Sequence, residues 1–149
     1  MGGEIQIFAD FLGGLALKGE YVQGMNSLTS STNLDSKSSL AARRADPTKL
    51  RHFSGYYFYL IKNIGNKNQF VLKYDFFDPN TSLAGDAAKG DVSWKTYTVA
   101  WQYYLNDNIR ISLQYEIPKY EANSSRPGDY KDLTGVYGNT LGVRVQAKF

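Results

Sequence analysis

Cysteine is absent from the 149 residues, which removes disulfides, thiolate metal sites and a cysteine nucleophile together. Histidine occurs once, at His52. No apolar run approaches the roughly 18 residues of a membrane-crossing helix. The opening MGGEIQIF has neither the basic region nor the hydrophobic stretch of a secretory signal. Gln6 stands where a myristoylation motif wants Ser or Thr. Charge of one sign is in small excess only: +3, with a pI near 9.0, is too mild to argue a nucleic-acid partner. Helical periodicity is missing from end to end.

What the chain does have is aromatic residues, 12 Tyr, 8 Phe and 2 Trp, set in period-two alternation. In IRISLQYEI, Ile109, Ile111, Leu113, Tyr115 and Ile117 point one way, and Arg110, Ser112, Gln114 and Glu116 the other. In QFVLKYDFF, Phe70, Leu72, Tyr74 and Phe76 oppose Gln69, Val71, Lys73 and Asp75, and in LALKGEY the apolar Leu15, Leu17 and Tyr21 oppose Lys18 and Glu20. Alternation and turn punctuation predict about seven strands, near 3–10, 14–24, 51–62, 68–77, 92–105, 109–120 and 136–149. Residues 51–62 are excluded from a facing assignment, because GYYFYLIK is aromatic on both sides.

The connections alternate strictly between short and long. DFLGG, NIGNKN and NDN are tight hairpin turns, whereas the links running through 25–50, 78–91 and 122–133 are long and polar. A soluble meander has no physical reason to place every long loop at one end, but an outer-membrane barrel does. Aromatics near strand ends (Trp94, Trp101, Tyr103, Tyr104, Tyr120, Phe149) suit interfacial girdles. The closing LGVRVQAKF, with Leu141, Val143, Val145 and Phe149 in alternation, has the form of the C-terminal signal read by the barrel-assembly machinery. The expected fold is therefore all-β, an antiparallel up-and-down transmembrane β-barrel.

Residues 51–88 are more specific. GYYFYLIKNIG, KYDFFDPNT and the Gly85-Asp86 step resemble the phosphate-selective porin O and P family of Gram-negative outer membranes. LKGEYVQG upstream and VAWQYYLNDNIRISLQYEIPK with LGVRVQAKF downstream resemble the same family in the same order. The resemblance implies that residues 1–149 are the C-terminal portion of a larger porin barrel that forms trimers, surrounded by outer-membrane lipid. It implies a passive diffusion channel for small anionic or neutral solutes, with an anion or phosphate preference as the finer expectation.

On that architecture the lumen side carries Glu4, Lys18, Glu20, Lys73, Asp75, Arg110, Glu116, Arg144 and Lys148, five basic and four acidic residues. Cations along a pore lower the entry barrier for anions and the interspersed carboxylates temper this; the plainer alternative is that they form polar networks filling the wall. Only Arg110 and Arg144 are inward arginines, a thin basis for phosphate selection. Arg43, Arg44, Lys49 and Arg51 form a basic cluster at the foot of the long link, able to gather anions or simply solvated. No catalytic residues, metal site or cofactor are expected. His52 and Ser54 share a strand face without a carboxylate to orient the histidine. GDAAKG lacks the spacing of a phosphate loop, and DPN in DFFDPNTSLAGD reads as a turn in preference to a calcium site. The rival architectures are a complete small barrel with binding or adhesion loops, and a soluble β-barrel or β-sandwich binding protein.

Overall fold

A computed structural model describes residues 1–10, 13–27, 50–85, 92–122 and 138–148. They form one seven-stranded sheet, with β1 (Gly2–Ala9), β2 (Leu15–Ser27), β3 (Leu50–Ile64), β4 (Asn68–Asp78), β5 (Trp94–Tyr104), β6 (Ile109–Tyr120) and β7 (Thr140–Ala147) in sequence order. Every strand pairs antiparallel with the next, and there is no helix among the described residues. The all-β up-and-down order matches the alternation. β2 and β3 are longer than the pattern indicated, and among the described residues the last strand is paired over 140–147. The sheet is not closed into a barrel: β1 and β7 do not pair with each other among the described residues.

Short and long links sort to opposite rims. The strand ends flanking 10–14, 65–67 and 105–108 lie at one, and those flanking 28–49, 79–93 and 121–139 at the other. Local chemistry explains the tight ones. Gly13, Gly14 and Gly65 have φ of 71°, 81° and 62°, a region that side chains rarely tolerate. In the third, the Asn106 side-chain oxygen accepts from the amides of Asn108 (2.9 Å) and Ile109 (2.8 Å).

Because partners in an antiparallel ladder face the same way, the register sorts every strand residue. One row runs Ile7, Leu17, Leu60, Leu72, Val99, Tyr115 and Leu141, an apolar residue from each strand. The next row, one residue along, runs Gln6, Lys18, Tyr59, Lys73, Thr98, Glu116 and Thr140. The sheet therefore has an apolar face and a polar face. It also resolves the ambiguous segment: Tyr56, Phe58 and Leu60 join the apolar face, Tyr57, Tyr59 and Ile61 the polar one.

Coverage is inverted relative to a water-soluble domain. Leu72 and Val99 on the apolar face are 50% and 51% exposed, while their chain neighbours Val71 and Thr98 on the polar face are 8% exposed. From β2 to β6 the polar-face side chains described are half-buried or buried except Val22, Asn63 and Gln114. In a sheet of one layer, crowding on one side means curvature toward that side, so the polar face is concave. Among described hydrophobic residues only Val71 and Val92 are fully buried. The convex face is knit instead by aromatic pairs, with Tyr56 at 5.2 Å from Phe76 and 5.9 Å from Tyr74, and Tyr74 at 5.1 Å from Tyr97.

Close approach at Gly55 supplies a test. A Cβ there meets the Phe77 ring at 3.0 Å and the Phe76 carbonyl oxygen at 3.2 Å. Phe77 in turn stacks on Phe53 at 6.0 Å and touches Trp94 at 4.9 Å. Gly55→Leu is expected to cost about 1–3 kcal/mol by overpacking, seen as a lower urea midpoint; an unchanged midpoint contradicts the packing described.

Candidate functional site

The concave polar face is the candidate site. Its strands bring together Lys18 and Glu20 of β2, Lys73 and Asp75 of β4, Arg110 and Glu116 of β6 and Arg144 of β7, with Glu4 of β1. All share one surface because each sits an even number of residues from the others along its strand, and the register carries the parity across. Lys148 follows β7, where its amide donates to the Asn108 carbonyl at 2.9 Å. Arg51 lies on the same face at the start of β3. Arg43, Arg44, Lys49 and Phe149 lie outside the described residues. Leu141, Val143 and Val145 stand together on the apolar face, with Val143 and Val145 at 69% and 68% exposure.

The polar face is zoned between the rims. Glu4, Glu20, Tyr57 and Asp75 occupy one cross-strand row, and Lys18, Tyr59 and Lys73 the next toward the short turns. Lys73 Nζ is 3.0 Å from Asp75 Oδ2 and stands 5.6 Å from the Tyr59 ring centroid, so its charge is largely answered locally. Beyond these comes an apolar row, Phe8, Ala16, Ile61, Val71 and Ala100. At the short-turn rim lie the arginines. Arg110 donates to Gln146 Oε1 at 2.6 Å and Gln102 Oε1 at 3.2 Å, and lies 5.9 Å from the Tyr104 ring centroid. Its hydrogen-bond partners are neutral amides, which hold the guanidinium without cancelling its charge. Arg144 is exposed across the sheet from Ser112.

Several side chains sit where the pattern did not place them. Trp94, Tyr104 and Tyr120, assigned to an interfacial girdle with Trp101 and Tyr103, are on the polar face. Residues 103 and 104 cannot share a face in a regular strand, and counting back by twos from Thr98 puts Trp94 with the polar set. Trp101 and Tyr103 do remain on the apolar face near the short-turn rim, where Trp101 Nε1 donates to Asn68 Oδ1 at 3.0 Å. The DPN segment is a turn: Asp78 Oδ1 accepts from the Asn80 amide at 2.9 Å, and Asn80 Oδ1 from the Ser82 amide at 3.3 Å. No three His, Cys, Asp or Glu side chains come together as a metal site among the described residues. His52 and Ser54 both face the apolar side.

Glu121, just past β6, had no signal in the sequence. Its carboxylate accepts from the Gly85 amide and from Ser93, whose amide and hydroxyl lie at 3.2 and 3.0 Å. It thereby ties the 79–93 link to the end of β6. No family model, curated protein or solved structure matches the chain.

The Glu121 contacts set a pH dependence. The Gly85 amide bond, aided by Ser93 and opposed by desolvation, holds the carboxyl below its ordinary range. A depressed carboxyl contributes its anchorage above the free-state pKa, and that contribution is lost as pH falls through the lowered one. Amide exchange at Gly85 and Ser93 is expected to accelerate, beyond its intrinsic pH dependence, as pH drops below about 4. Glu121→Gln should show the faster exchange already at neutral pH; protection independent of both changes contradicts the anchor.

Proposed function

We propose that this sheet is a section of the wall of an outer-membrane diffusion channel, its convex apolar face toward lipid and its concave polar face toward an aqueous lumen. Small hydrophilic solutes pass along the polar face, with anions favoured at the arginine rim. The observation that carries this reading is the inversion of coverage at adjacent residues, Val71 against Leu72 and Thr98 against Val99. An exposed apolar surface spanning all seven strands calls for a covering medium. A soluble binding barrel requires the opposite polarity, with the apolar face concave.

Strand length supports lipid as that medium. β2 to β6 run 13, 15, 11, 11 and 12 residues, against about 9–11 for a tilted strand crossing the hydrocarbon layer. Charged and amide side chains end the apolar face, with Lys62 and Asn68 at the short-turn rim and Lys95 and Lys119 at the other. In lipid no strand edge stays unpaired, so β1 and β7 meet further strands of a larger closed barrel. The resemblance to phosphate-selective porins points the same way and adds a trimer and a Gram-negative outer membrane. Outer-membrane lipid, the barrel-assembly machinery and the passing solutes are then the partners, and no enzymatic step is assigned. Among the charged side chains of the polar face, Arg110 and Arg144 are the candidates for ion preference, since the charge of Lys73 is met by Asp75.

Two variants test the reading. Val99→Arg puts a cation on the lipid side near mid-strand and should destabilise the folded protein in vesicles by about 2–4 kcal/mol. On a water-facing surface the same change stays within about 0.5 kcal/mol, an outcome that overturns the membrane assignment. Arg110→Glu with Arg144→Glu should assemble normally and shift the reversal potential of reconstituted channels toward cations. An unchanged potential removes these arginines from the transport path.

A further inference from the structure

We infer that the polar face carries a binding site for a neutral saccharide, in the trough between β5, β6 and β7 near the long-link rim. The inference rests on the channel reading in one respect only: it names a solute class for that lumen. The trough has a volume of about 410 Å³ and is lined by Trp94, Thr96, Glu116, Pro118, Tyr120 and Thr140. That volume lies within the range of small-molecule pockets, roughly 300–1,000 Å³.

The lining suits the two-sided chemistry of a pyranose ring. One side of such a ring is a patch of C–H bonds, which packs on aromatic faces; its edge is a circle of hydroxyls, each needing a partner. Trp94 and Tyr120 are direct partners across β5 and β6, so both side chains leave the polar face at the same level, at the long-link end of the trough. The Trp94 ring is braced from behind by Phe77 at 4.9 Å, and Phe77 by Phe53 at 6.0 Å, so the platform is pre-positioned. Below it, Glu116 is the partner of Thr140 on one side and Thr98 on the other, with Thr96 next along β5. Gln114 Nε2 donates to Glu116 Oε1 at 2.9 Å, which orients the carboxylate and leaves its second oxygen to accept from a hydroxyl.

Charge selects among ligands of this size. The Glu116 carboxylate disfavours an anion in the trough. Thr96 and Thr140 add hydroxyls that donate as well as accept, which matches the hydroxyls of a sugar and is left unused by an onium cation without an acceptor. A neutral polyhydroxylic ring remains, with stacking from one end and hydroxyl partners from Thr96, Thr140 and Glu116.

Tryptophan emission reads the site directly. The chain has two tryptophans, so Trp101→Phe leaves Trp94 as the sole reporter. In the full chain folded in detergent micelles, glucose and maltose are expected to shift that emission saturably, with a dissociation constant on the order of 1 mM. Adding Glu116→Gln, nearly isosteric and compatible with the fold, should weaken binding about tenfold, the loss of one charge-assisted hydrogen bond; Tyr120→Ala should weaken it at least as much. Emission that does not saturate with either sugar overturns the inference. So does an affinity unchanged by both substitutions, or saturation by choline or inorganic phosphate and not by sugar. Binding in micelles requires no open pore, so saccharide binding without conductance sinks the channel reading alone, and conductance without binding sinks the site alone.

Discussion

Everything in this molecule depends on an antiparallel register that runs without a slip through six consecutive strand pairs. In a sheet of one layer, a side chain has only two places to go. The register makes that choice collective: displacing any strand by one residue exchanges its apolar and polar sets. The unbroken row from Ile7 to Leu141 and its polar neighbour from Gln6 to Thr140 are one consequence. The concave crowding of charge and the convex display of aliphatic and aromatic side chains are another.

Such a sheet has little of the interior that stabilises ordinary domains. Only Val71 and Val92 are fully buried hydrophobic residues among those described. The backbone ladder and cross-strand aromatic contacts give the strands their cohesion, each ring pair adding about 0.5–1.5 kcal/mol beyond its buried area. Water is a poor environment for the exposed positions from Ile5 to Val145. Lipid is a good one, since burying apolar surface is worth about 25 cal/mol per Å². On the channel reading, the solvent replaces the missing second layer, and the fold is a property of the sheet and its medium together.

The concave face is organised across the strands more than along them. Acidic, basic and apolar rows succeed one another from the long-link side, and the arginines close the series at the short turns. On the channel reading, a solute moving between the rims meets aromatic rings and hydroxyls at one end and uncancelled positive charge at the other. The Glu121 contacts to Gly85 and Ser93 draw one of the long links onto the aromatic end. Constraint at that rim and accessible charge at the opposite one give the two ends of the path different work on the channel reading.

Much of this was legible in the order of residues. Alternation is a local property, so IRISLQYEI and QFVLKYDFF announced both their strands and the sides of Arg110, Glu116, Lys73 and Asp75, and NIGNKN and NDN announced their hairpins. Sequence alone also excluded disulfide and thiolate chemistry. Tertiary structure decided what alternation leaves degenerate. GYYFYLIK has aromatics at both parities, and only pairing of Leu60 with Leu72 and Tyr59 with Lys73 chose its sides. Trp94, Tyr104 and Tyr120 looked like girdle residues by position along their strands, but facing depends on parity and register, which placed them on the polar side. The trough beneath Trp94 and the Glu121 anchor join residues far apart in the chain, and curvature, which decides that charge is covered and oil displayed, belongs to the whole sheet and to no single strand.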